Sequence, residues 1–95
     1  MRLEISADAD ADLREVVAFS IEQFGIEQAR RYTDALRLRM HALVDQPRGR
    51  RTERLKPSLL RVKQGSHFIF FKVEGDSVLI VRILHERRDF LRQLA

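Results

Sequence analysis

The sequence predicts an α+β fold: an antiparallel sheet, built from an N-terminal strand plus a C-terminal three-strand meander, packs against an α-helical hairpin and is followed by a short C-terminal helix. Three observations predict it. Apolar residues recur at three- and four-residue spacing through the first half of the chain, apolar runs of strand length replace that period near residue 60, and glycines stand where segments join. The 95 residues fit one domain, residues 1–95, because two cores of half that size would each bury too little surface to stand alone.

From the N-terminus, Leu3 and Ile5 alternate with Arg2 and Glu4, the pattern of a half-buried strand. Ser6 can cap a following helix, and Asp8 and Asp10 fall in or near its first turn, where negative charge favours the positive end of the dipole. Leu13, Val16, Val17, Ile21 and Phe24 make one stripe, which predicts a helix over Ala7–Phe24. Gly25 stops it. Ala29, Tyr32, Leu36, Met40, Leu43 and Val44 repeat the spacing over Ile26–Asp45, and so short a link folds the two helices back as an antiparallel hairpin.

Pro47 and Gly49 end the second helix and open a basic loop, Arg48–Pro57, carrying Arg48, Arg50, Arg51, Arg54 and Lys56 against a single Glu53. Strands are predicted at Leu60–Gln64, His67–Glu74 and Ser77–His85. Gly65-Ser66 and Gly75-Asp76 between them are two-residue links of the kind that join antiparallel strands. Glu86–Leu94 completes the chain as a short helix.

Both faces of the meander are apolar. Phe68 and Phe70 alternate with Ile69, Phe71 and Val73, while Val78, Ile80 and Leu84 alternate with Leu79, Val81 and Ile83. The helical hairpin covers one face. Either the terminal segment around Phe90, Leu91 and Leu94 folds across the other with the Arg48 loop, or an apolar patch stays open and marks a binding site. Phe19 and Leu38 lie off their helices' core stripes, which also points to a partner.

Composition narrows the chemistry. With 44% hydrophobic and 34% charged residues the chain has material for a core, and the absence of cysteine removes disulfides and thiolate metal sites. The N-terminus does not read as a signal peptide and no run is long and apolar enough to span a bilayer, so the expected address is the cytoplasm. A formal charge of +4 favours an anionic partner. His41 and His67 show no ligand spacing with any other residue, and no glycine-rich phosphate loop, nucleophile elbow or zinc signature occurs.

Ala11-Asp12-Leu13, Phe24-Gly25, Ala29, Tyr32, Leu36, Pro47 and Gly49, then Leu59-Leu60-Arg61-Val62, then His67 to Val73, and finally Val81-Arg82-Ile83-Leu84-His85-Glu86-Arg87-Arg88-Asp89 together resemble the ParE-type toxins of the RelE/ParE toxin-antitoxin superfamily. The resemblance covers nearly the whole chain. It implies a RelE/ParE-like fold, no cofactor, and a toxin that binds the A subunit of DNA gyrase and is neutralised by a ParD-like antitoxin in a hetero-oligomer. DNA would be touched only through gyrase or the antitoxin. On that reading Arg61, Arg82, His85 and Arg88 contact the target, and Phe19, Leu38, Arg50, Arg51 and Phe71 meet the antitoxin.

The same superfamily includes ribosome-dependent messenger RNA endoribonucleases of the RelE type. Such a nuclease needs proton transfer and charge neutralisation at a phosphate, for which His85 with Arg61, Lys63, Arg82 and Arg88 are the candidates. RelE-like nucleases usually carry a tyrosine near the C-terminus, where this chain has Phe90, Leu91 and Leu94 instead. Tyr32 sits on a core stripe and reads as structural, His85 shares a strand face with apolar residues, and Arg82 projects from the opposite face. Arg82 and Arg88 are expected to pair with Glu86 or Asp89, or to offer a contact surface. A non-enzymatic toxin is therefore the expectation.

Overall fold

The structure, a computed structural model, describes residues 1–52 and 58–94. Its elements follow the order β1 (Arg2–Ile5), α1 (Ala7–Phe24), α2 (Ile26–Asp45), β2 (Arg50–Arg51), β3 (Leu60–Gln64), β4 (His67–Glu74), β5 (Ser77–His85) and α3 (Phe90–Leu94). The α+β class and the helical hairpin are those expected, and both long helices begin and end at the predicted residues. Ser6 caps α1 by accepting the Ala9 N–H at 3.0 Å. Gly25 separates the helices at φ 87 and ψ 168, a backbone conformation essentially restricted to glycine.

The strands form one sheet in the order β1-β5-β4-β3-β2. Two features differ from expectation. The strand β1 runs parallel to β5, with Arg2 opposite Ser77 and Ile5 opposite Ile80, so the sheet is mixed at this one pairing. A helical hairpin carries the chain from β1 to the far edge, and a crossover of that length imposes no antiparallel return as a tight turn would. The Arg48–Pro57 segment is not all loop either: Arg50 and Arg51 pair antiparallel with Arg61 and Leu60 as an edge strand. Residues 53–57 of that predicted loop lie outside the described residues.

The helical hairpin buries one face of the sheet. Ala9, Leu13, Val16, Leu36, Met40 and Leu43 meet Val62, Ile69, Phe71, Val78, Ile80 and Ile83 there. The last turn of α1 and the first of α2 project past the sheet, and every residue from Ile21 to Gln28 is exposed. That overhang corrects the predicted stripe, since Ile21 and Phe24 have no third layer to pack on. On the opposite face Leu59, Phe70, Leu84 and Leu94 form a second cluster, joined by Phe68, Val81 and Phe90. The terminal helix α3 does fold across this face.

A β-bulge decides which side chains go where. Phe70 lies opposite Arg82 and Phe71 opposite Ile80, so Val81 has no partner on β4. One extra residue reverses the alternation beyond it. Ile83 therefore joins Val78 and Ile80 under the helices, and Leu84 joins Val81 on the α3 side, where ideal alternation had grouped them otherwise.

Candidate functional site

Beyond Ile80 the short β1 ends and the outer edge of β5 is open, and α1 supplies what that edge lacks. Ser6 donates its N–H to the Ile80 carbonyl and its hydroxyl to the Val81 carbonyl at 2.8 Å. Asp12 then accepts the Ile83 N–H at 2.9 Å, and its two oxygens take the Arg82 guanidinium at 2.7 and 2.9 Å. Arg82 also reaches the Gln93 carbonyl of α3 at 3.3 Å. One fork thus ties α1, β5 and α3 together. Hydrogen bonding to Asp12 raises the Arg82 pKa further above its ordinary value. The expected partners of Arg82, Glu86 or Asp89, are replaced by a residue seventy positions away that the open edge brings into reach.

Above this pair runs a groove of about 300 Å³, lined by Asp12, Glu15, Val16 and Phe19 of α1 and by His67, Ile83, Leu84, His85 and Arg88. His67 and His85 are directly opposite on β4 and β5, with ring centroids 5.2 Å apart and planes at 86°. Tyr32 approaches from α2. Its Oη lies 2.5 Å from His67 Nδ1 and accepts the Ser66 N–H at 3.0 Å. Its ring is partly buried against the core, as the structural reading required. Burial raises the phenol pKa, and Lys63, 2.6 Å from Glu86, holds that carboxyl below its usual range.

Burial, followed by the neighbouring His85, pushes His67 down to about 4, with Glu86 and Asp12 pulling weakly the other way. The folded state then resists a proton that an unfolded chain accepts near 6.5, so stability is full above pH 6.5 and falls as pH drops toward 4. A shift of that size corresponds to roughly 3 kcal/mol for a sequestered ring, and partial exposure reduces it to about 1–2 kcal/mol. Urea unfolding of wild type and His67→Gln at several pH values isolates the effect from the carboxylates, and the variant should show the shallower decline.

Gly65 packs against the same tyrosine. It has φ +60, and an added Cβ would lie 2.6 Å from Tyr32 Cε1 and 2.7 Å from Oη. The phenol is held at its oxygen by His67 and Ser66, so it cannot swing clear. Gly75 has φ +55 with nothing within 4 Å. Gly65→Ala should therefore cost about 2–3 kcal/mol and Gly75→Ala about 1 kcal/mol, because both incur the backbone term and only the first incurs the clash. Equal shifts in urea midpoint would show that Tyr32 yields.

The predicted site residues do not converge on one place. His85, Arg88 and Phe19 meet in the groove, with Arg82 engaged beneath it, its side chain 19% exposed. Arg61 lies on the α3 side of the sheet, where it forms a basic patch with Arg50 and Lys63 around Phe68; its guanidinium stands 4.6 Å over the Phe68 ring. Arg51 is exposed beside it on the edge strand, and Leu38 is 74% exposed on α2. Phe71 is corrected outright as a partner contact: it is fully buried under the helices, where no antitoxin reaches it without opening the core. Asp12, Glu15 and His67 belong to the groove and were missed by sequence reasoning. A signal existed for Asp12, which shares the spacing of the buried Ala9, Leu13, Val16 and Ser20. A carboxylate on a core stripe requires a buried cation.

Among the described residues no group of three or more His, Cys, Asp or Glu is placed to hold a metal ion, and no helix is long and apolar enough to cross a membrane.

Comparison with known proteins gives consistent findings. The family model described as ParE toxin of type II toxin-antitoxin system, parDE, matches residues 3–90. Toxin ParE1 of Mycobacterium tuberculosis (strain ATCC 25618 / H37Rv) is 32% identical over 95 residues, covering 98% of this chain and 97% of that protein. Toxin ParE1 of Caulobacter vibrioides is 34% identical over 83 residues, 86% of this chain and 85% of its own length, and Toxin ParE of Escherichia coli is 33% identical over 94 residues, 96% and 90%. A solved structure described as the chromosomal ParDE TA system from P. aeruginosa superposes with a TM-score of 0.77 at 21% identity, covering 90% of this chain and 95% of that one. That last likeness establishes the fold.

Proposed function

The chain belongs to the ParE toxin family of type II toxin-antitoxin systems, and from that premise we propose that it arrests growth in the cytoplasm by binding the A subunit of DNA gyrase, without catalysis of its own, until a ParD-like antitoxin covers it. The family match across residues 3–90 carries this reading. The disposition of the cations supports it. Arg82 is engaged by Asp12, while Arg61 and Arg88 lie on different faces of the sheet, an arrangement that fits broad adhesion better than work on one phosphate.

The antitoxin would lay an amphipathic segment on the apolar residues that the fold leaves in solvent. Phe19, Phe24, Ile26 and Leu38 are all at least 59% exposed, and a segment reaching the edge strand would meet Arg50 and Arg51 with acidic residues.

Supercoiling by purified gyrase tests the main reading. Rising toxin should abolish supercoiling and accumulate cleaved DNA, and full gyrase activity at a large molar excess of toxin would overturn it. The rival, messenger RNA cleavage on the ribosome, draws on the facing His67 and His85 in an open groove. Transcript mapping after brief expression separates the two.

A further inference from the structure

Nδ1 is the engaged ring nitrogen of both histidines of the groove. Tyr32 Oη accepts the Ser66 N–H, and its own hydrogen has two acceptors in reach, His67 Nδ1 at 2.5 Å and the Gln64 carbonyl at 3.4 Å; donation to the nearer makes His67 Nδ1 an acceptor. His85 Nδ1 accepts the Arg87 backbone N–H at 3.1 Å. A neutral imidazole has one N–H, and an accepting Nδ1 puts it on Nε2. Among the described residues neither Nε2 has a hydrogen-bond partner and no buried side-chain nitrogen or oxygen goes without one, so both Nε2 atoms reach solvent. With that assignment two donors on facing residues of β4 and β5 have only solvent to donate to.

We propose that this groove is a carboxylate-binding site, in which His67 Nε2–H and His85 Nε2–H donate to the two oxygens and Arg88 closes over them from the rim. Arg88 is free to do so: its contact with Glu15 is 4.0 Å long between side chains 50% and 74% exposed, a pair of small worth. A singly charged carboxylate fits better than phosphate. Glu15 lines the groove and would repel a dianion, and Asp12 is already neutralised by Arg82. The remaining walls, Val16, Phe19, Ile83 and Leu84, are apolar and suit the carbon chain next to the anion. The ligand is accordingly an Asp or Glu side chain presented by a bound protein segment, which rests on the reading that a partner covers this surface.

Toxin alone, without gyrase or antitoxin, provides the test, so that its outcome is independent of the proposed target. Long-range 1H–15N spectra at pH 7 should show His67 and His85 with the hydrogen on Nε2. Titration with N-acetyl-aspartate amide should then move both Nε2 resonances saturably, while N-acetyl-asparagine amide, of the same shape without the charge, should move neither. Arg88→Gln should weaken the aspartate probe about fivefold, the effect of one partly exposed charged contact. An Nδ1–H tautomer at either ring, equal shifts with both probes, or tighter binding of inorganic phosphate than of the aspartate probe would each overturn the assignment.

Discussion

Asp12→Ala should lower the free energy of unfolding by about 3–5 kcal/mol, the largest loss expected from any single polar residue of this fold. The change removes three hydrogen bonds at once: two from the Arg82 guanidinium and one from the Ile83 backbone N–H. Arg82 would retain only the Gln93 carbonyl at 3.3 Å, and its charge would stay largely out of water. An orphaned buried charge costs far more than an exposed pair contributes. Arg14 with Asp10, whose side chains are 80% and 52% exposed, should be worth no more than about 0.5 kcal/mol.

Urea unfolding of Asp12→Ala, Arg82→Met and Asp12→Leu/Arg82→Met forms the cycle. The double variant should be more stable than Asp12→Ala, since well-packed apolar groups can replace a buried pair that neither half survives alone. A loss below about 1 kcal/mol for Asp12→Ala would mean that water reaches Arg82 and that the fork does not hold α1 to β5. His85 and Arg88 follow Arg82 in the chain, so the same variant should also blunt any function of the groove. That effect would act through position and not through contact.

Much of this architecture was legible because local and tertiary preferences agree. Ser6, the stripes around Leu13 and Leu36, and the glycines at 25, 65 and 75 each specify their element within a few residues, and the structure keeps those boundaries. What escaped depends on events that no window of sequence contains. The bulge at Val81 is set by how β5 curves against β4, and it reversed the faces of Ile83 and Leu84. Pairing of β1 with β5 joins residues seventy-five apart. Single-residue roles were least legible. His85 and Arg88 were found from the terminal signature, whereas His67 gains its place only because Tyr32 and His85 arrive from other elements. Phe71 failed as a contact residue because alternation tells that two faces differ, not which one the helices cover.

Phe70→Ala should cost about 3–5 kcal/mol, as much as the same change at Phe71, although only Phe71 lies under the two long helices. The reason lies in the second layer. Phe70 is fully buried, with the Phe90 ring 5.1 Å away at 70° and Leu59, Leu84 and Leu94 around it, so truncation leaves a cavity and not a surface notch. If α3 were a loose flap that only a partner holds down, the pocket would flood or collapse, and the loss would shrink to about 1.5–3 kcal/mol, the transfer term of one aromatic side chain. The two phenylalanines belong to separate clusters, so each truncation opens a cavity of its own. Together they would consume the whole stability of a small domain, commonly about 5–15 kcal/mol, so the double variant is expected to be unfolded. Chemical denaturation of each single variant, with dye binding as the readout of exposed apolar surface, decides whether the terminal helix is a true layer of the core. A full-sized loss at Phe70 without added dye binding by wild type would place this sheet face inside the protein, and leave the sticky surface to the helical hairpin, where Phe19, Phe24, Ile26 and Leu38 are exposed.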